Sequence, residues 1–236
     1  MPAVKDNVIK VQAAIGRACA RSGRDPALVR VIAVAKNRTI EQIRQAVSGG
    51  ITDIGENRVQ EALSKYGGVP QTGFNRQRVR LHMIGHLQTN KVRDAVRIFD
   101  LIHSVDSLRL AQEIDARAAR IDKVQDILLE VNISEEAAKS GVRYDEAFEM
   151  AVRLRALAHI RLLGLMSVAA VVNDPQEARP FFGKLRTLFN DINTRAPAAS
   201  QQEPLRILSM GMSQDYEVAV EEGATMVRIG RAIFDG

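Results

Sequence analysis

Two hydrophobic periods alternate along this chain. Short runs rich in Val, Ile and Leu occupy residues 29–35, 51–54, 81–84, 101–103, 126–133, 161–166, 206–209 and 226–229. Between them lie longer stretches whose apolar residues recur every three or four positions, the spacing of one helix face. Near-continuous apolar runs mark strands covered on both faces, and connections long enough for a crossover helix make such strands parallel. Some helix boundaries can be read as well. Thr39 and Gln42 have capping-box spacing, and Gly49-Gly50 ends that helix. A helix over 4–21, with Val8, Val11, Ile15 and Ala18 on one side, precedes the first strand and stops at Ser22-Gly23.

Eight strand–helix repeats predict an α/β fold: a single (β/α)8 TIM-type barrel with an extra N-terminal helix, in preference to an open doubly wound sheet. Residues 1–236 read as one domain. Little follows the eighth run, so the N-terminal helix is expected to cover the side where an eighth helix otherwise packs. The linker-like segment 195–204 falls in a loop before the seventh strand.

Composition narrows the partners. Aromatics are 4% of the chain and Trp is absent, so the core is aliphatic. The single cysteine, Cys19, excludes an intrachain disulfide and argues against a zinc cluster. Charges interrupt the apolar positions of the first residues, MPAVKDNVIKVQ, which fits neither a signal peptide nor a membrane span. A soluble, cytoplasmic protein without a membrane partner is expected. The net charge is +5, and the densest basic run, residues 75–80 (NRQRVR), has no interleaved aromatic residue. It reads as a solvated loop, not as a nucleic-acid surface.

Chemistry gathers where strands end. Residues 205–236 contain two strands, one running into Ser209-Met210-Gly211-Met212-Ser213 and the other into Arg228-Ile229-Gly230-Arg231. Glycine and unpaired N–H groups at such turns let the main chain approach an anion, and the dipole of a following helix adds positive charge. In a parallel barrel the loops after the seventh and eighth strands are the usual phosphate site, so a phosphorylated ligand is expected. Lys36 ends the first strand, where the flanking Val, Ile and Ala are expected to desolvate its amine and suit it to Schiff-base chemistry. On the lysine alone, a charged residue leaving a strand for solvent is the plainer reading. His82 enters the third turn with its strand, which usually means a satisfied core histidine, and Asn57 follows the second strand.

The blocks AVAK (33–36), IGEN (54–57), HMIGHLQTNK (82–91), SVD (104–106), VNIS (131–134), KSG (139–141), GLM (164–166), LSMGMSQD (208–215) and TMVRIGRAIF (225–234) occur in one order over nearly the whole chain. In that order the chain resembles the pyridoxal phosphate homeostasis proteins, single-domain relatives of the alanine racemase N-terminal barrel. It departs from their pattern at Ala35, where Ser is common, after Met166, where a Pro is frequent, and at Asp235, where glycine is usual. The resemblance implies the fold type III barrel without the second β-domain, and pyridoxal 5'-phosphate (PLP) as cofactor. By the same resemblance Lys36 holds PLP as a Schiff base, and Ser209, Gly211, Gly230 and Arg231 form the phosphate cradle. Arg228 faces the pyridine nitrogen, while Asn57, His82 and Met166 wall the ring.

The implied role is PLP storage, buffering or delivery to apo-PLP enzymes, without robust turnover and with no catalytic residue. The alternative is a PLP-dependent amino-acid racemase or related enzyme of the same fold type. The barrel and its phosphate turns also leave open a Schiff-base aldolase acting on a sugar phosphate. A lone barrel without the domain that builds racemase dimers points to a monomer.

Overall fold

The computed structural model describes residues 3–67, 79–136, 139–170, 172–195 and 203–235. Its strands are β1 (Arg30–Val34), β2 (Asp53–Glu56), β3 (Arg80–Met83), β4 (Leu101–Val105), β5 (Gln125–Asn132), β6 (Val142–Arg143), β7 (Ile160–Met166), β8 (Ile207–Ser209) and β9 (Met226–Ile229). All pair in parallel, in the order β4-β3-β2-β1-β9-β8-β7-β5-β6, and a β4–β5 pairing closes the sheet on itself. The two-residue β6 pairs with the end of β5, while β7 takes the place beside β5 within the barrel. The expected eight-stranded barrel is therefore what forms.

The helices are α1 (Val4–Ser22), α2 (Ile40–Ser48), α3 (Val59–Tyr66), α4 (Val92–Ile98), α5 (Leu108–Ala119), α6 (Ala147–Arg155), α7 (Arg179–Arg195), α8 (Tyr216–Glu221) and α9 (Arg231–Phe234). Helix α1 ends at Gly23 with φ 66°, a conformation that favours glycine. It lies against α2, α8 and α9, covering the side expected of it. Asn7 donates to the Ile233 carbonyl at 3.1 Å, and Arg21 pairs with Glu217 and Glu221. The Thr39–Gln42 capping box forms as read.

Alternation along the strands sorts two cores. Ala33, Ile54, Val227 and Ile229 join helix residues such as Ile43 and Phe182 in the outer core. Their neighbours point inward, where Ile32, Leu101, Leu128, Leu163, Met166, Ile207 and Met226 pack together. One expected strand is displaced: the run at 51–54 becomes Asp53–Glu56. The reason is chemical. Asp53 and Glu56 are buried, and each is hydrogen-bonded, to His82 and to Lys65 respectively, so the Glu56 carboxylate, which lay beyond the expected run, lies within the sheet. The basic run at 75–80 falls outside the described residues except for Val79 and Arg80, and Arg80 opens β3.

Candidate functional site

Lys36 lies two residues beyond β1, in a turn closed by the Arg38 N–H donating to the Ala35 carbonyl at 3.0 Å. It is exposed. The expected desolvation by its strand does not occur, because Ala33 and Ala35 point outward to the helices and Ile32 lies deeper in the barrel. Lys36 and Asn57 line one cleft of about 480 Å³, together with Gly85 and His86. Gly85 is required there, since any Cβ would strike the Asn57 backbone. The Oδ1 atom of Asn57 is buried without a partner.

The two C-terminal turns meet beside that strand. A Cβ on Gly230 would stand 3.5 Å from the Val34 side chain, so this turn abuts the end of β1. Gly211 has φ 91° and approaches Tyr216 and Ala219 so closely that a Cβ would lie 2.5 Å from the Ala219 methyl. Its carbonyl accepts from the Arg228 N–H at 3.0 Å, linking the turns. Arg231 is exposed. The hydroxyl at the junction belongs to Ser213, whose Oγ accepts from the Ala232 N–H at 3.4 Å. Its signal was a second serine in the same small-residue turn.

Ser209 is placed differently from a cradle residue. It is fully buried, and its Oγ accepts from Arg228 Nη1 at 2.8 Å and lies 3.0 Å from His103 Nδ1. His103 Nε2 is 3.0 Å from His82 Nδ1, and His82 Nε2 is 2.9 Å from Asp53 Oδ1. His82 is thus the satisfied core histidine, 1% exposed, and it reaches the rim only through His103. Met166 pairs in register with Glu130 on one side and Ser209 on the other, within the inner core.

Arg228 is 4% exposed and donates to three neutral oxygens: the Ser209 carbonyl, the Ser209 hydroxyl and the Ser167 carbonyl, each at 2.8 Å. Burial lowers its pKa to about 10, with Glu130 and Asp215 pulling the other way, so it stays charged at neutral pH. Burial and the nearby Asp106 raise Glu130 to about 7 against the attraction of Arg228. Its Oε2, like the Ser167 hydroxyl, is buried without a partner. Burial, then the charges of His82 and Arg228, drive His103 well below the ordinary histidine value, so it is neutral. For Asp53, burial raises the pKa, but hydrogen bonds from His82 and Thr52 outweigh it and leave the carboxyl below its usual range.

Among the described residues no cluster of metal-ligating side chains forms, and no helix is long and apolar enough to cross a membrane. The family described as alanine racemase, N-terminal domain, matches residues 5–236. A relative from Aquifex aeolicus, named pyridoxal phosphate homeostasis protein, is 39% identical over 229 residues, covering 97% of this chain and 96% of its own. One of the same name from Pseudomonas aeruginosa is 37% identical over 235 residues, covering 99% and 96%. The structure of PipY from Synechococcus elongatus with PLP bound superposes with a TM-score of 0.79 at 34% identity, over 94% of this chain and 99% of that one. Alanine racemase from Clostridium difficile shares the fold, at a TM-score of 0.70 and 15% identity, over 97% of this chain and 56% of that one.

Proposed function

Because the chain belongs to the pyridoxal phosphate homeostasis protein family, we propose that it binds PLP at the C-terminal rim of its barrel and serves in holding and delivering that cofactor. PLP supplies an aldehyde that condenses with a lysine amine, releasing water, and a ring able to accept electrons. The residues present suit such a ligand. Lys36 offers an exposed amine at the mouth. The turns at Gly211–Ser213 and Gly230–Ala232 offer backbone N–H groups and the Ser213 hydroxyl to a phosphate. Asn57 Oδ1, Glu130 Oε2 and Ser167 Oγ are buried polar atoms that a ligand's polar edge would satisfy.

The observation that carries the reading is Arg228, a buried guanidinium held by three neutral oxygens. Arginine only donates, so placed against a pyridine nitrogen it keeps that nitrogen unprotonated. An unprotonated ring is the poorer electron sink, which favours keeping the cofactor over turning it over. Racemisation also needs an acid–base group on each face. Tyr66 donates to Glu56 behind β2, and the Tyr144 ring lies under Lys184, so both are engaged away from the Lys36 cleft. We assign Ser209 to holding Arg228 and Ser213 to the phosphate. A cytoplasmic, single-domain monomer that passes PLP to apo-enzymes completes the proposal.

The test is the visible spectrum of the purified chain after incubation with PLP, followed by borohydride reduction and peptide mapping. A yellow protein labelled on Lys36 is expected. A colourless, unlabelled protein would overturn the cofactor assignment and bring forward the sugar-phosphate barrel.

A further inference from the structure

The turn that carries Lys36 is gripped from behind by helix α3. The Ala35 N–H donates to the Gly55 carbonyl at 2.9 Å, tying the residue before Lys36 to β2. The Ala35 carbonyl accepts from Lys65 Nζ at 2.7 Å. That ammonium also donates to Glu56 at 2.9 Å and to Glu61 at 2.7 Å, so its three N–H groups are all used. On the other side of Lys36, the Asn37 N–H donates to the same Glu61 Oε1 at 2.7 Å. Glu61 therefore joins both flanks of the lysine, one directly and one through Lys65.

The conformation held this way is unusual. Asn37 has φ 57°, in the left-handed region. With Lys36 before it and the Arg38-to-Ala35 bond closing the turn, the signs of φ are those of a type II turn with Asn in the third place. Asparagine tolerates that region better than other residues with a Cβ, though less well than glycine. If the peptide relaxed, Lys36 would leave the turn pointing elsewhere, and its amine would lose its fixed approach to the cleft it shares with Asn57.

We propose that Glu61 is a positioning residue for Lys36: by holding the left-handed Asn37 peptide and the Lys65 ammonium, it presents the lysine amine to an aldehyde ligand. This rests on the PLP reading above. Glu61 touches neither ligand nor amine and acts only through the backbone.

The experiment mixes the full chain with PLP and follows the rate of label trapped by borohydride on Lys36, with circular dichroism and melting temperature as controls for folding. Glu61→Ala should slow labelling about tenfold, as loss of a fixed approach geometry does. Glu61→Gln, which keeps an acceptor oxygen, should stay within about twofold of the native rate. Adding Asn37→Gly to Glu61→Ala should restore most of the rate, because glycine holds the turn without Glu61. A role confined to packing α3 would not give that rescue. Asn37→Ala in the native background should slow labelling while leaving α3 untouched, and it carries the test if Glu61→Ala fails to fold. Native-rate labelling in Glu61→Ala, no rescue by Asn37→Gly, or native-rate labelling in Asn37→Ala would each overturn the positioning role. A wild-type chain that takes no label on Lys36 would instead overturn the cofactor reading.

Discussion

Asp53 and Arg228 are the two ends of one hydrogen-bonded line across the barrel interior, running through His82, His103 and Ser209. With both rings neutral, the ends fix its direction. Arg228 only donates and the Asp53 carboxylate only accepts, so the Ser209 hydroxyl donates to His103 Nδ1. His103 Nε2–H then donates to His82 Nδ1, and His82 Nε2–H to Asp53. In that arrangement every link is satisfied. Reversing any one bond would leave a buried donor or acceptor facing its own kind.

Breaking this line in the middle should be expensive. His103→Leu strands the Ser209 hydroxyl and His82 Nδ1 in the buried interior, so a loss of about 2–4 kcal/mol is expected. Urea denaturation of the chain without cofactor measures it. A loss under about 1 kcal/mol would mean the line is not continuous in solution.

Arg228→Gln keeps an amide donor for one of the three oxygens but removes the charge. The borohydride label should remain on Lys36 while the visible absorption band of the PLP-loaded chain moves. An unchanged band would separate Arg228 from the ring.

Glu130 gives a pH signature. Its carboxyl is raised to about 7 in the fold, so between the unfolded value near 4.5 and about 7 the folded state binds more protons than the unfolded one. Stability from this group is fully present below about 4.5, falls as pH rises to about 7, and is level above. Glu130→Gln should therefore gain about 1–3 kcal/mol over the native chain at pH 8 and almost nothing at pH 4.5. Parallel denaturant curves at the two pH values decide it, and an equal effect at both would remove the proposed ionisation.

Gly211→Ala should weaken both fold and site. Its φ of 91° strains any residue with a Cβ, and the added methyl would stand 2.5 Å from the Ala219 methyl and 3.0 Å from the Tyr216 Cα. A loss of about 2 kcal/mol with faster PLP dissociation is expected, read by thermal melts and by dialysis against cofactor-free buffer.

Period and capping residues made the barrel legible, because the strands run through one apolar stretch after another and Thr39–Gln42 marks a helix start. The ends of those strands were legible for the same reason, which placed Lys36, Asn57 and Gly230 on one rim. The inner line was not. Its partners lie 29, 21, 106 and 19 positions apart, and pairing over such separations leaves no mark in local spacing. A usable signal did exist: Asp53, His103 and Glu130 are ionisable residues within strands, each implying a buried partner or a function. The burial of Ser209 and the exposure of Lys36 depend on which residues alternate inward, and that is fixed only once the barrel closes.

The pairing of β1 with both β2 and β9 sets a timetable for a chain made from its N-terminus. About 190 residues separate Lys36 from β9, which at roughly 5–20 residues per second is tens of seconds of synthesis. During that interval the lysine strand has one open edge, and α1 waits for the Ile233 carbonyl that Asn7 holds. The turn bearing Gly230 follows β9 and is made later still. A nascent chain on the ribosome therefore carries the lysine long before it carries the turn after β9, so on the proposed reading cofactor capture at Lys36 waits until β9 has closed the barrel beside β1.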